Sequence, residues 1–141
     1  MKRIIALMAA LMLISCQAIA EEPDFDIATD GFMTQLHELM HEFDGTALLT
    51  VRIAGYVHRY DESEQYVNFA VLRDYFDENE GIIPYGLDCY YEGDLPEHDA
   101  WAVVTGHPFY YEEDGEVYMA LMAQQVEVLP DDMRESKLVF N

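Results

Sequence analysis

The stretch Leu49-Thr50-Val51-Arg52-Ile53-Ala54-Gly55-Tyr56-Val57-His58 alternates with a period of two. Leu49, Val51, Ile53, Gly55 and Val57 share one face; Thr50, Arg52, Tyr56 and His58 share the other. That is the pattern of a strand buried on one side, and Gly55 within it predicts a bulge or a sharp bend. Toward the C-terminus, the turn Asp61-Glu62-Ser63-Glu64 leads to a second strand around residues 66–73, and residues 74–81 read as a polar loop. A third strand is expected near 85–91, followed by an acidic loop over 92–99. A fourth begins at Trp101 and reaches Tyr110. Glu113-Asp114-Gly115 is a hairpin signal, and a fifth strand over 116–129 ends at Pro130.

Toward the N-terminus the period changes. Phe32, Met33, Leu36, Leu39, Met40 and Phe43 lie on one face of a helix, with Asp30 as its expected N-cap and Gly45 as its stop. One amphipathic helix before five strands, the first long and glycine-bent, predicts a mainly β protein: an OB-like five-stranded small barrel preceded by that helix. A plain β-sandwich, or an open five-stranded sheet under one helix, is the alternative. The barrel with its helix takes residues 31–130; residues 21–30 form an acidic tether and 131–141 a loose tail.

Residues 1–20 have a different composition. Lys2 and Arg3 precede an uncharged apolar run from Ile4 to Ile14, and Ala18-Ile19-Ala20 stands before Glu21-Glu22. This is the tripartite pattern of a secretory signal, and the apolar run is too short for a membrane-spanning helix. Leu13-Ile14-Ser15-Cys16 also fits a bacterial lipobox, so the second cleavage expectation is lipidation at Cys16. Either route places the protein outside the cytoplasm, secreted or periplasmic in one case and lipid-anchored to the envelope in the other. Cys89 is then the lone cysteine, on a strand face with Leu87 and Tyr91, where a buried apolar role is expected.

The 141 residues hold 28 acidic and seven Lys or Arg side chains, a formal charge of −21. Beyond Ala20 five cationic residues face all 28 acids, giving −23. Nucleic acid is excluded as a partner, because phosphates must be met by clustered cations, and a membrane is met only through a lipid anchor. Half of the residues are hydrophobic, which separates the chain from disordered acidic tails.

The motifs FMTQLHELMHEF, IAGYV, FAVLRDYF, Tyr85-Gly86-Leu87, AWAVVTG and VEVLP, in that order, resemble the extracytoplasmic C-terminal OB-like domain of bacterial putative permease-complex subunits, whose function is itself unsettled. The resemblance covers about residues 30–130 and implies a place in a transport complex. In those subunits membrane helices precede the domain and adjacent cysteines follow the segment matching FAVLR. Here a signal sequence precedes it, and Asp74-Tyr75-Phe76-Asp77 stands at the cysteine position. Arg73 matches the family pattern.

His37-Glu38-Leu39-Met40-His41 is an H-E-x-x-H string, in which two imidazoles one helical turn apart hold zinc and the glutamate activates its water. His37, His41 and Glu38 are therefore candidate metal residues for a small zinc hydrolase. Against it, Glu42 follows the second histidine, both histidines lie off the apolar stripe, and no third ligand follows before Gly45. Acids recur at 61–64, 74–80, 92–99, 112–116 and 131–132 without the register of a calcium loop, so weak divalent-cation binding is the only cofactor expectation. Tyr56, Tyr66, Tyr90 and Tyr118 alternate opposite the apolar faces of their strands. They form either an exposed binding face for a glycan, a peptide or a cationic partner, or a layer under the helix. No nucleophile and base are paired in the sequence. The reading is an exported, non-enzymatic binding or assembly accessory at the cell envelope, its partner an envelope protein or cationic ligand.

Overall fold

The computed structural model describes residues 21–62 and 66–140. The signal sequence, the lipobox alternative at Cys16, and Ser63 and Glu64 of the expected turn lie outside the described residues. The elements are β1 (Phe25–Ile27), α1 (Phe32–Glu42), β2 (Val51–Arg59), β3 (Phe69–Asp77), β4 (Gly81–Tyr90), β5 (Trp101–Glu113), β6 (Glu116–Leu129), a 3-10 turn (Asp131–Met133) and β7 (Leu138–Val139). The protein is mainly β, with one seven-stranded sheet and one α-helix among the described residues. Among the described residues no helix is long and apolar enough to cross a membrane.

Seven strands replace the five expected. The additional two are short and lie in the stretches expected to be tether and loose tail. β1 runs parallel to β2, with Phe25 opposite Val51, and β7 runs parallel to β3, with Tyr75 opposite Val139. Ile27 and Val139 are both buried. The strands Phe25-Asp26-Ile27 and Leu138-Val139 are too short for a period to be read from sequence.

The five long strands lie where expected, with shifted ends: β3 starts at Phe69 and reaches Asp77, β4 starts at Gly81, and β6 keeps its expected bounds. β3 and β4 consume most of the supposed polar loop at 74–81, leaving a turn in which the Asp77 carboxylate accepts from the backbone N–H of Asn79 (2.8 Å) and Glu80 (3.0 Å). β5 runs past Tyr110 to Glu113. Its turn to β6 has Asp114 at φ 52° and Gly115 at φ 81°, the two left-handed residues that such a hairpin requires.

β2 changes partner along its length. Val51 to Tyr56 pair with β5, and Tyr56 to Arg59 pair with β3. Gly55 sits at this change, where a Cβ would lie 2.3 Å from the Leu72 carbonyl oxygen; it serves as the bend. The register shift of the sheet is elsewhere, between Thr105 and Gly106. Antiparallel β3–β4 and β5–β6 and parallel β4–β6 complete the pairing, which runs β2–β3–β4–β6–β5 and returns to β2.

α1 buries Phe32, Met33, Leu36 and Leu39, and Phe43 just beyond joins the same core as Val51, Ile53 and Leu121. Each such side chain contributes about 1.5–3 kcal/mol by leaving water. The helix is capped differently from expectation: its N-cap is Gly31 at φ 77°, not Asp30. It ends at Phe43, before Gly45, where the Asp44 carboxylate takes over by accepting from the Thr46 and Ala47 N–H groups.

Among the described residues one charge lies wholly inside. Arg73 is 0 % exposed, its guanidinium 4.5 Å from the Trp101 ring centroid and 5.6 Å from that of Phe32. It donates to the carbonyls of Ala54 (2.9 Å) and Ser136 (3.1 Å), the Thr29 hydroxyl (3.0 Å) and the Glu135 carboxylate (3.2 Å). The segment before α1, the helix start, β2 and the segment before β7 therefore meet on one side chain.

Candidate functional site

In β4, Leu87 and Cys89 turn inward and are buried, so Asp88 and Tyr90 face outward. Burial raises the Cys89 thiol far above the usual range, consistent with the inert apolar role expected of it. Asp88 lies in the ladder between Ala70 of β3 and Ala120 of β6. Both alanines are fully buried although they are on the outward side. A layer of tyrosines is built over this side.

The Tyr60 hydroxyl donates to Asp88 Oδ1 at 2.6 Å, and the Tyr111 hydroxyl reaches Oδ2 at 3.5 Å. Tyr111 stacks on Tyr66 with centroids 5.3 Å apart and on Tyr118 at 5.6 Å, with Phe109 tilted against it at 6.1 Å. The Tyr111–Tyr118 pair follows from the hairpin, which sets the two residues directly opposite each other. Burial, then the nearby Asp88 charge, pushes the Tyr111 hydroxyl up to about 12. Burial and the hydrogen bond to Asp88 raise Tyr60 further still. Both hydroxyls therefore remain protonated donors at neutral pH.

Beside this layer the sheet opens. β4 and β6 pair only from Asp88 to Tyr90 and from Ala120 to Met122. Toward Gly86 and Tyr118 the strands part, and a slot of about 380 Å³ lies between them. Gly86, Asp88, Val117, Tyr118 and Met119 line it, with Met40 from α1. Tyr110 closes its inner end, its hydroxyl donating to the Phe43 carbonyl at 2.7 Å. A Cβ on Gly86 would lie 1.8 Å from the Val71 carbonyl oxygen, so only glycine lets β3 and β4 cross this closely. The slot thus joins one carboxylate to an aromatic ring and to thioether and aliphatic side chains. Among the described residues no Lys, Arg or His pairs with Asp88: the ion pairs are Arg52–Asp26, Arg73–Glu135, Arg134–Asp131 and Lys137–Asp99.

Of the four tyrosines singled out in the sequence, Tyr66 and Tyr118 meet here through Tyr111. Tyr90 is half-buried on the outward side opposite Met122. Tyr56 is elsewhere: its hydroxyl donates to Asp74 at 2.5 Å, and the Lys137 ammonium lies 4.5 Å from its ring centroid. The tyrosine that bonds to the helix segment is Tyr110. His37, Glu38 and His41 are exposed on α1, and among the described residues no group of three or more His, Cys, Asp or Glu is placed to hold a metal ion. Tyr60, Asp88 and Tyr111 were not among the sequence candidates. The hairpin register, had β5 been carried to Glu113, places Tyr111 across from Tyr118; nothing in the local sequence distinguishes Asp88 from the other acids.

Compared with known proteins, the chain matches no family model, no curated protein and no solved structure.

Proposed function

We propose that this protein is an exported, non-enzymatic binding or assembly accessory of the bacterial cell envelope, an OB-like barrel whose acidic aromatic face receives a cationic partner. The return of the strand pairing to β2 supports the barrel over an open sheet. In OB barrels, ligands use the face between the loop after the first barrel strand and the loop before the last. Tyr60 and Tyr66 lie after β2, and Glu116 and Tyr118 lie next to the turn before β6. The pattern of residues 1–20 supports export, and the motif order shared with permease-complex subunits supports a role within an envelope assembly.

The observation that carries the reading is the half-buried Asp88, held by tyrosine hydroxyls and, among the described residues, left without a countercharge. A partner's cation meets both the carboxylate and the negative faces of the rings. The experiment is calorimetric titration of the purified protein with hexalysine and with hexaglutamate at physiological ionic strength, where diffuse attraction is screened. Hexalysine is expected to bind, hexaglutamate not to, and joint Tyr66→Ala and Tyr118→Ala substitution to weaken binding. Absence of hexalysine binding, or affinity unaltered by loss of both rings, overturns the reading.

A further inference from the structure

We infer that the slot between β4 and β6 is an arginine-specific subsite, taking the guanidinium of a partner protein onto Asp88 and the ring of Tyr118. This rests on the cationic-partner reading above and narrows it from a charge to a shape.

Three features select guanidinium over ammonium. First, both Asp88 oxygens remain partly free: Oδ1 accepts one hydroxyl at 2.6 Å and Oδ2 one distant hydroxyl at 3.5 Å. A carboxylate oxygen accepts about two hydrogen bonds, so a two-pronged donor is met at both, which a guanidinium supplies and an ammonium does not. Secondly, Tyr118 lines the slot while stacking on Tyr111 and donating its hydroxyl to Glu116 at 2.6 Å. A ring fixed in this way is a flat platform for a planar cation. Thirdly, Val117, Met119 and Met40 in the lining form an apolar wall for the methylene stem that carries the guanidinium. A slot of about 380 Å³ has room for one long side chain and not for a folded segment.

Protein arginine is favoured over a divalent metal as occupant, because one carboxylate with aromatic and thioether neighbours lacks the oxygen ligands that hard cations need. Charge complementarity agrees: the chain bears −21 overall, and its described ion pairs leave this carboxylate unmatched.

The test is a parallel titration of the purified protein with triarginine and trilysine, equal in charge, at the same salt. Triarginine is expected to bind about tenfold more tightly, as bidentate pairing and stacking together allow. Asp88→Asn is expected to abolish this preference while leaving residual binding of both peptides. Should Asp88→Asn fold poorly, Tyr118→Ala at an exposed position serves the same purpose and is expected to reduce the preference. Equal affinities, or a preference that survives both variants, would sink the arginine subsite yet leave the cationic-partner reading standing. Failure of either peptide to bind removes both.

Discussion

Arg73 and Asp88 are charges on adjacent strands with opposite accommodation. Arg73 is enclosed, and every partner it has belongs to its own chain: two carbonyls, a hydroxyl, a carboxylate and two aromatic rings. Asp88 is half-buried and held by two hydroxyls, with open space on one side and no ion pair among the described residues. A buried charge that is fully satisfied internally fixes structure, because losing it strands several buried groups at once. A charge that is only partly satisfied and opens on a slot is available to something else. The difference separates the region where Thr29, Glu135 and Ser136 converge on Arg73 from the face proposed to meet a partner.

The strongest way to break this contrast is Arg73→Ala. It leaves a cavity between Trp101 and Phe32 and orphans the carbonyls of Ala54 and Ser136, so a loss of about 3–5 kcal/mol is expected. Urea unfolding followed by Trp101 fluorescence measures it. A loss below about 1 kcal/mol, within the usual range of exposed ion pairs, would show that the clamp is peripheral. Next comes Gly86→Ala. The added methyl group collides with the Val71 carbonyl oxygen, and forcing β3 away from β4 costs about 1–3 kcal/mol. Thermal unfolding would record it, and an unshifted midpoint would refute the close crossing.

Asp88→Asn sharpens the contrast from the other side. Asparagine still accepts a hydrogen bond from Tyr60, so stability is expected to stay within about 1 kcal/mol of the parent. Its signature is in the tyrosine titration instead. The folded hydroxyl of Tyr111 titrates near 12 against an ordinary 10.0. A raised value contributes stability that is complete below pH 10 and lost as pH rises from there toward 12. Ultraviolet titration should show Tyr111 ionising late in the parent and earlier in Asp88→Asn; identical curves would remove the coupling.

The smallest effect is that of Glu135→Gln. The Thr29 hydroxyl, then Arg73, holds the Glu135 carboxyl below its usual 4.5. A depressed carboxylate contributes stability above pH 4.5 that is lost as pH falls through its folded value. The stability gap between parent and variant should therefore be full at neutral pH and close in acid. Because the Glu135 side chain is 55 % exposed, solvent screening keeps the gap under about 1 kcal/mol. A gap that widened on acidification would contradict the sign.

How much of this was legible depends on the range of the interaction. Period-two and helical spacings reveal the five long strands and α1 because each residue's neighbours in sequence share its burial. β1 and β7 escaped because two or three residues carry no period, and what places them is pairing with β2 and β3, distant from them in sequence. Tyr66 and Tyr118 were legible as aromatic residues opposite a core face. Asp88 was not: it is one acid in a chain with 28 of them, and what marks it, tyrosine hydroxyls on its carboxylate beside an open slot, is a property of the assembled sheet. The slot likewise exists because β4 and β6 are not paired before Asp88 and Ala120, which no local pattern encodes.

The most direct test of the central claim is a triarginine titration followed by the NMR signals of the tyrosine rings and the methyl groups. The account predicts saturable shifts at Tyr118, Val117 and Met119 as a single site fills, with Trp101 beside Arg73 unmoved. Non-saturating shifts confined to the acidic turns at Asp61, Glu78 and Glu80, with Tyr118 unchanged, would contradict it.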